Sequence, residues 1–329
     1  MFLGKLGPEE LKERILHYRG ASRREVLVGA AVGEDAAVLD LGCDLCVVST
    51  DPITGAASEV GSLAVVVSCN DVATSGAEPV ALVLTIIAPP QASLEEVEAV
   101  MADANQAAKR LGVAIVGGHT EVSVAVNQML VNSTVLGRVQ ASGLLASSRV
   151  HRGAHLIMVR WAGVEGTAII ARDHSDRLQG LLTPEEIQEA RGFAGLVSVL
   201  EPCRIAREQG ALFMHDVTEG GVLGAAFEMV HATGLGLDLV SDIPVHPLTR
   251  KLCAGLGLDP LRLISSGTLL VAAVDAHALQ QALRNAGFFS QAIGTFTEKG
   301  AGVYWGGRLL NPPVGDELWT FLAAVEGDQ

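Results

Sequence analysis

Aromatic residues are scarce in this chain: Phe, Trp and Tyr together make up 4% of its 329 residues. Its cores must therefore be built from Val, Leu, Ile and Ala, and an apolar content of 49% is ample for that. Positive charge is also short, with 23 Lys and Arg against 37 Asp and Glu and a formal charge of −14. Such a surface repels a phosphate backbone and an anionic membrane face, which argues against nucleic acid or membrane as a partner. It leaves a small anionic substrate open, because a bound cation inverts the local field. The five cysteines (Cys43, Cys46, Cys69, Cys203, Cys253) are odd in number and widely spread, the pattern of reduced thiols rather than a disulfide framework. The opening "MFLGKLGPEELKER" turns charged before any apolar signal core, and the apolar stretch 80–90 is far too short to span a bilayer. A cytoplasmic protein is expected.

The familiar nucleotide and hydrolase signatures are missing too. There is no GxxxxGK[ST], GxGxxG, GxSxG or HExxH, and "AGLGLDP" and "TGLGLDL" lack the third glycine of a dinucleotide loop. If phosphates bind, no Walker lysine neutralises them, and metal ions held by carboxylates must do so.

What is present is a long alternation of strand and helix patterns, too long for one core, so two domains are expected. The segment "PEELKERILHY" reads as a short amphipathic helix, residues 25–32 as a strand, and 36–41 with 45–50 as a β-hairpin turning at Gly42. Residues 61–75 read as a buried helix and "VALVLTIIAP" as a buried strand. Ser93 and Glu96 form a capping box for a helix ending at Gly112. The small, polar passage 141–154 marks the boundary between domains 1–145 and 146–329. The second domain begins at "HLIMVRWAG" and ends in a helix in which Trp319, Leu322 and Val325 pack on the body.

Carboxylates sit at the edges of these elements. In a symmetric hairpin centred on Cys43, Asp35 faces Asp51; directly opposed like charges are destabilising unless a divalent cation lies between them. Two solvated carboxylates at a sheet end are the plainer alternative. "SCNDVATSGAEP" places Asn70 and Asp71 in an apolar helix, where an unpaired charge is costly. "VAIVGGHTEV" brings a buried strand to Gly117 and Gly118 and then offers His119, Thr120 and Glu121, either a ligand-facing backbone or a plain tight turn. "MHDVTEGGVLGAAF" ends a strand at Asp216 and passes through Thr218, Gly220 and Gly221 into a helix N-terminus, a natural anion site. Acidic clusters beside glycine-rich turns, without a Walker lysine, point to a magnesium–nucleotide site.

The motifs "GEDAAV", "STDP", "NDVATSGAEP", "GGHTE" and "HDVTEGGVLGA", in this order and spacing, resemble the aminoimidazole ribonucleotide (AIR) synthetase superfamily. That superfamily includes thiamine monophosphate kinase, selenophosphate synthetase and HypE, and the HypE-like branch is nearest. The resemblance covers nearly the whole chain and implies a two-domain α/β (α+β) fold. Its N-terminal sheet would form a shared barrel in a homodimer, and ATP would lie in a cleft with magnesium on aspartates. By position it makes Asp35, Asp51 and Asp71 the metal ligands, with Gly117, Gly118, Thr120 and Glu121 beside the nucleotide. Asp216, Thr218, Gly220 and Gly221 would come onto the phosphates, and Lys5 is either a phosphate contact or a mobile terminal lysine. His119 is a candidate general base, with a backbone-satisfied histidine as the alternative.

The implied activity is ATP- and magnesium-dependent phosphoryl transfer, or activation of an acyl-like oxygen followed by loss of phosphate. The alternative is a nucleotide-binding partner in hydrogenase maturation. The HypE branch carries a C-terminal cysteine tail, whereas here no cysteine follows Cys253. A small molecule or a partner's thiol is therefore the expected acceptor. Cys43 and Cys46 have C-x-x-C spacing without a second pair, which is weak support for a metal site.

Overall fold

The computed structural model describes residues 4–5, 11–28, 38–39, 42, 45–53 and 59–327. They divide into two compact units, Met1–Leu144 and Leu145–Gln329. Each has its own main sheet, giving the mixed α/β architecture expected.

The first unit contains β1 (Gly4–Lys5), β2 (Val26–Val28), β3 (Val38–Leu39), β4 (Leu45–Ile53), β5 (Glu78–Ala88), β6 (Ala114–Val122) and β7 (Leu130–Val139). Five of them form one sheet in the order β1-β6-β5-β7-β4, while β2 and β3 pair separately. Among the described residues the expected hairpin is not formed. All nine residues of β4 pair antiparallel with β7, Leu45 facing Val139 and Ile53 facing Val131, and β3 pairs with β2 instead. β7 matches the full length of β4, so every backbone group on that edge of β4 has a ladder partner. Asp51 faces Ser133 of β7, and Asp35 lies outside the described residues.

Two helices, α1 (Val60–Thr74) and α2 (Leu94–Leu111), accompany this sheet. Valines and alanines occur all round α1, and eleven of its fifteen residues are buried, as expected for a helix enclosed on every side. Gly61 allows this: a Cβ there would run into the Val100 carbonyl, so the backbones of α1 and α2 approach closely. The start of α2 is held by the expected capping box, with Ser93 Oγ accepting from Glu96 N at 3.2 Å and Glu96 from Ser93 N at 2.6 Å. Gly112, at φ 71°, closes it. Four charges tie the segment before β2 to the ends of β5 and β7. Arg23 reaches Glu25 at 3.2 Å and Glu78 at 2.8 Å, and Arg138 reaches the same pair at 3.2 and 3.0 Å.

The second unit holds β8 (His155–Val159), β9 (Phe213–Asp216), β10 (Gly236–Leu239), β11 (Leu269–Ala273), β12 (Ser290–Thr297), β13 (Gly302–Trp305) and β14 (Arg308–Leu309). Their order is β14-β13-β10-β12-β8-β11-β9, which puts β8 and β11 inside the sheet, and both are almost wholly buried. Its helices are α3 (Val164–Asp173), α4 (Pro184–Arg191), α5 (Leu200–Glu208), α6 (Gly221–Thr233), α7 (Pro247–Leu256), α8 (Ala276–Asn285) and α9 (Glu317–Gly327). The packing of α9 differs in one respect from expectation. Leu318 and Phe321 are buried, with Leu322 and Val325 against the same core, whereas Trp319 is 37% exposed. Positions 318, 321, 322 and 325 share one helical face, and Trp319 falls about 100° away from it.

Candidate functional site

In the first unit, β4 alternates so that Ser49 and Asp51 share a face, and α1 lies against it. Ser49 Oγ donates to Asp71 Oδ2 of α1 at 2.7 Å. Asn70, the next residue on α1, is fully buried. Opposite Asp51, the Ser133 side chain is also fully buried, and its Oγ has no hydrogen-bond partner among the described residues. The donors on this face are oxygens only, two carboxylates and two hydroxyls, one of them unengaged. Such a set suits a hard cation such as magnesium. Among the described residues no three His, Cys, Asp or Glu side chains are grouped so as to hold a metal ion. Thr50 points to the opposite face, where it bonds Thr134 at 2.7 Å.

Gly117 and Gly118 are not a turn. β6 runs straight through both, from Ala114 to Val122, parallel to β5 with a register shift after Leu82. The reason for glycine is proximity, because a Cβ on Gly118 would strike the Leu84 carbonyl. His119 and Glu121, two apart on the strand, share one face, with Nε2 3.1 Å from Oε2. Thr120 lies on the other. β1 adds to the edge of β6 with Lys5 at the register position of Glu121. The strand pair thus brings Lys5, His119 and Glu121 to one place along the sheet.

In the second unit, the ends of β8 and β9 and the start of β11 lie together, because Leu269 pairs with both Val159 and Asp216. Asp216 is buried at this end. After it the chain turns through Gly220 at φ 80° and Gly221 at φ 61° into α6. A Cβ on Gly221 would lie 2.6 Å from the Leu261 carbonyl and 2.8 Å from that of Leu263. The turn's donors are engaged within the unit: Gly220 N–H by Asp316 Oδ2 at 2.6 Å and Gly221 N–H by the Thr218 carbonyl at 3.2 Å. Thr218 is half-buried and Glu219 exposed.

Three residues here escaped the sequence reading. Glu165, buried in the first turn of α3, accepts from Ser266 N–H at 3.1 Å. Burial raises its pKa, the Ser266 bonds oppose this, and the charges of Asp316 and Asp216 push it further up. Asp316 is buried and raised in the same direction, first by burial. Arg160 adopts φ 67°, and its Nη1 donates to the carbonyls of Leu196, Ser198 and Gly267 at 2.6, 2.8 and 2.7 Å. Desolvation lowers this guanidinium to about 10. The signals were present: a lone Glu in "WAGVEGTAII", and an Asp in the N-cap position before "ELWTFL".

Residues 33–139 match the N-terminal domain, and residues 151–306 the C-terminal domain, of AIR synthase related proteins. Carbamoyl dehydratase HypE of Cupriavidus necator is 30% identical over 259 residues, covering 76% of this chain and 71% of that protein. The selenide, water dikinase of Caldanaerobacter subterraneus is 28% identical over 268 residues, covering 78% and 72%. The crystal structure of hydrogenase maturation protein HypE in complex with ATP matches with a TM-score of 0.77 at 23% identity, over 93% of this chain and 94% of that one, and so shares its fold. By sequence and by architecture, this chain belongs to the AIR synthase related family.

Proposed function

We propose that this protein is an ATP- and magnesium-dependent enzyme that phosphorylates its acceptor or activates an acyl-like oxygen on it with loss of phosphate. The observation that carries the reading is the all-oxygen face on which Ser49 links to Asp71 beside Asp51 and the unengaged Ser133 hydroxyl. The two named relatives, a dehydratase and a dikinase, support it, as does ATP bound to a protein of the same fold. Magnesium bound by Asp51 and Asp71, with Asp35 as a further ligand, would spread the charge that develops on the transferred phosphoryl group. Gly117, Gly118, Thr120, Glu121 and Lys5 would border the nucleotide, His119 would serve as base, and Asp216, Thr218, Gly220 and Gly221 would face the phosphates. ADP formation should require magnesium and be lost in Asp71→Asn while the variant still melts cooperatively. Equal rates in wild type and variant would sink the reading.

A second reading, a hydrogenase-maturation partner protein, is favoured by one observation. Three of the described cysteines are unsuited to be a carrier thiol: Cys69, Cys203 and Cys253 are buried, and burial pushes Cys253 up to about 12 and raises the other two as well, whereas Cys46 is exposed. Either way, the acceptor would be a small molecule or a partner's thiol. Replacing all five cysteines by serine should leave ATP-dependent turnover intact, and a cyanated cysteine on this chain after treatment with a carbamoyl donor and ATP would overturn that. Among the described residues no helix is long and apolar enough to cross a membrane. The four described cysteines, all unpaired, support a cytoplasmic setting. A homodimer through the first unit is supported by β4, an edge strand that exposes 58% of Val48 and 43% of Leu45.

A further inference from the structure

Asp316 is 3% exposed, yet its carboxylate takes donors from three separate segments: Gly220 N–H at 2.6 Å, Leu318 N–H at 2.8 Å and Ile264 N–H at 3.2 Å. A helix cap for α9 needs only the Leu318 bond. The other two lie outside that helix and reach the turn before α6 and the segment before β11. A cavity of about 290 Å³ opens beside Gly220, lined by Phe227, Pro312 and Pro313. Gly221, by contrast, is wedged against the carbonyls of Leu261 and Leu263. Gly221 is thus fixed by contact, whereas Gly220 is held by hydrogen bonds: its carbonyl accepts from Gly224 N–H at 2.9 Å, and the Asp316 carboxylate takes its N–H.

We infer that Asp316 is a positioning residue for the Gly220–Gly221 turn, its carboxylate fixing the backbone that unit 2 presents beside Thr218. This rests on the reading of that turn as phosphate-facing. The carboxylate also places negative charge at the N-terminus of α6, where the helix dipole favours it. It holds the turn in one arrangement before any ligand arrives, so that binding need not order it.

Amide exchange at Gly220 and Mg-ATP affinity, measured together on the full chain, test the inference. In Asp316→Asn, Gly220 should exchange at least tenfold faster than in wild type, and the Kd for Mg-ATP should rise at least tenfold. The control is Phe321→Ala, which removes a core contact of α9 and leaves the carboxylate in place. It should lower Tm while keeping Gly220 protection and Kd within twofold. Wild-type exchange and affinity in Asp316→Asn would overturn the inference, as would equal loosening in both variants. If Asp316→Asn does not fold, Asp316→Ser takes its place, and failure of both would assign the residue to stability alone and overturn it. If wild type itself fails to bind Mg-ATP, the nucleotide reading falls, and the exchange comparison still decides whether Asp316 holds the turn.

Discussion

At the scale of single residues, position in the fold decides what each carboxylate can do. Asp71 of α1 accepts from Ser49 of β4, which lies two residues from Asp51 on the same face of the strand. Removing either charge should weaken Mg-ATP binding by roughly tenfold or more, about 1.4 kcal/mol, without unfolding the protein. Titration of Asp51→Asn at fixed free magnesium checks this, and unchanged affinity would mean that the carboxylate is merely solvated. Glu25 has the opposite task. Burial raises its pKa, but its own backbone hydrogen bond and the guanidinium groups of Arg23 and Arg138 outweigh burial and hold it below the usual carboxylate range. A lowered folded-state pKa contributes stability above the unfolded value, about 4.5, and loses it as pH falls through the folded one. Urea melts of wild type should therefore weaken below about pH 4.5, and Glu25→Gln should flatten that slope. An equally steep slope in the variant would place the acid sensitivity elsewhere.

At the scale of elements, glycine and capping residues set the packing. Gly61→Ala gains about 1 kcal/mol in helix propensity. It also drives a Cβ into the Val100 carbonyl, and overpacking of that kind costs about 1–3 kcal/mol. The clash involves backbone that cannot step aside, so a net loss is expected on denaturant titration, and a gain would show that α1 and α2 can separate freely. Thr183→Ala should cost about 1 kcal/mol by removing the cap of α4. Much of this level was legible in the sequence. The capping box at Ser93, the buried run of α1 and the strand–turn–helix at Asp216 are local patterns, and local patterns survive folding. The pairing of β4 was not legible, because a strand's partner is set by which long ladder is available. The alternative of a tight turn at Gly117 and Gly118 falls for a related reason: a sequence does not distinguish a glycine that turns from one, such as Gly118, that lets a neighbouring strand come close. Asp316 and Glu165 were missed because their partners lie about 50 to 100 residues away in the chain.

At the scale of the whole molecule, an excess of negative charge surrounds a proposed site for a more negative nucleotide. The account resolves this with magnesium rather than with a lysine. Light scattering at micromolar concentration should report a dimer, as expected of a first unit whose edge strand exposes Val48; a monomer would contradict that part of the account. The central claim, that nucleotide binding runs through a cation held by aspartates, is tested most directly by calorimetric titration of ATP into the full chain. One titration is run at saturating free magnesium and one in excess chelator. The account predicts a saturable, single-site heat with magnesium and none with chelator, and ATP binding equally well in both would contradict it.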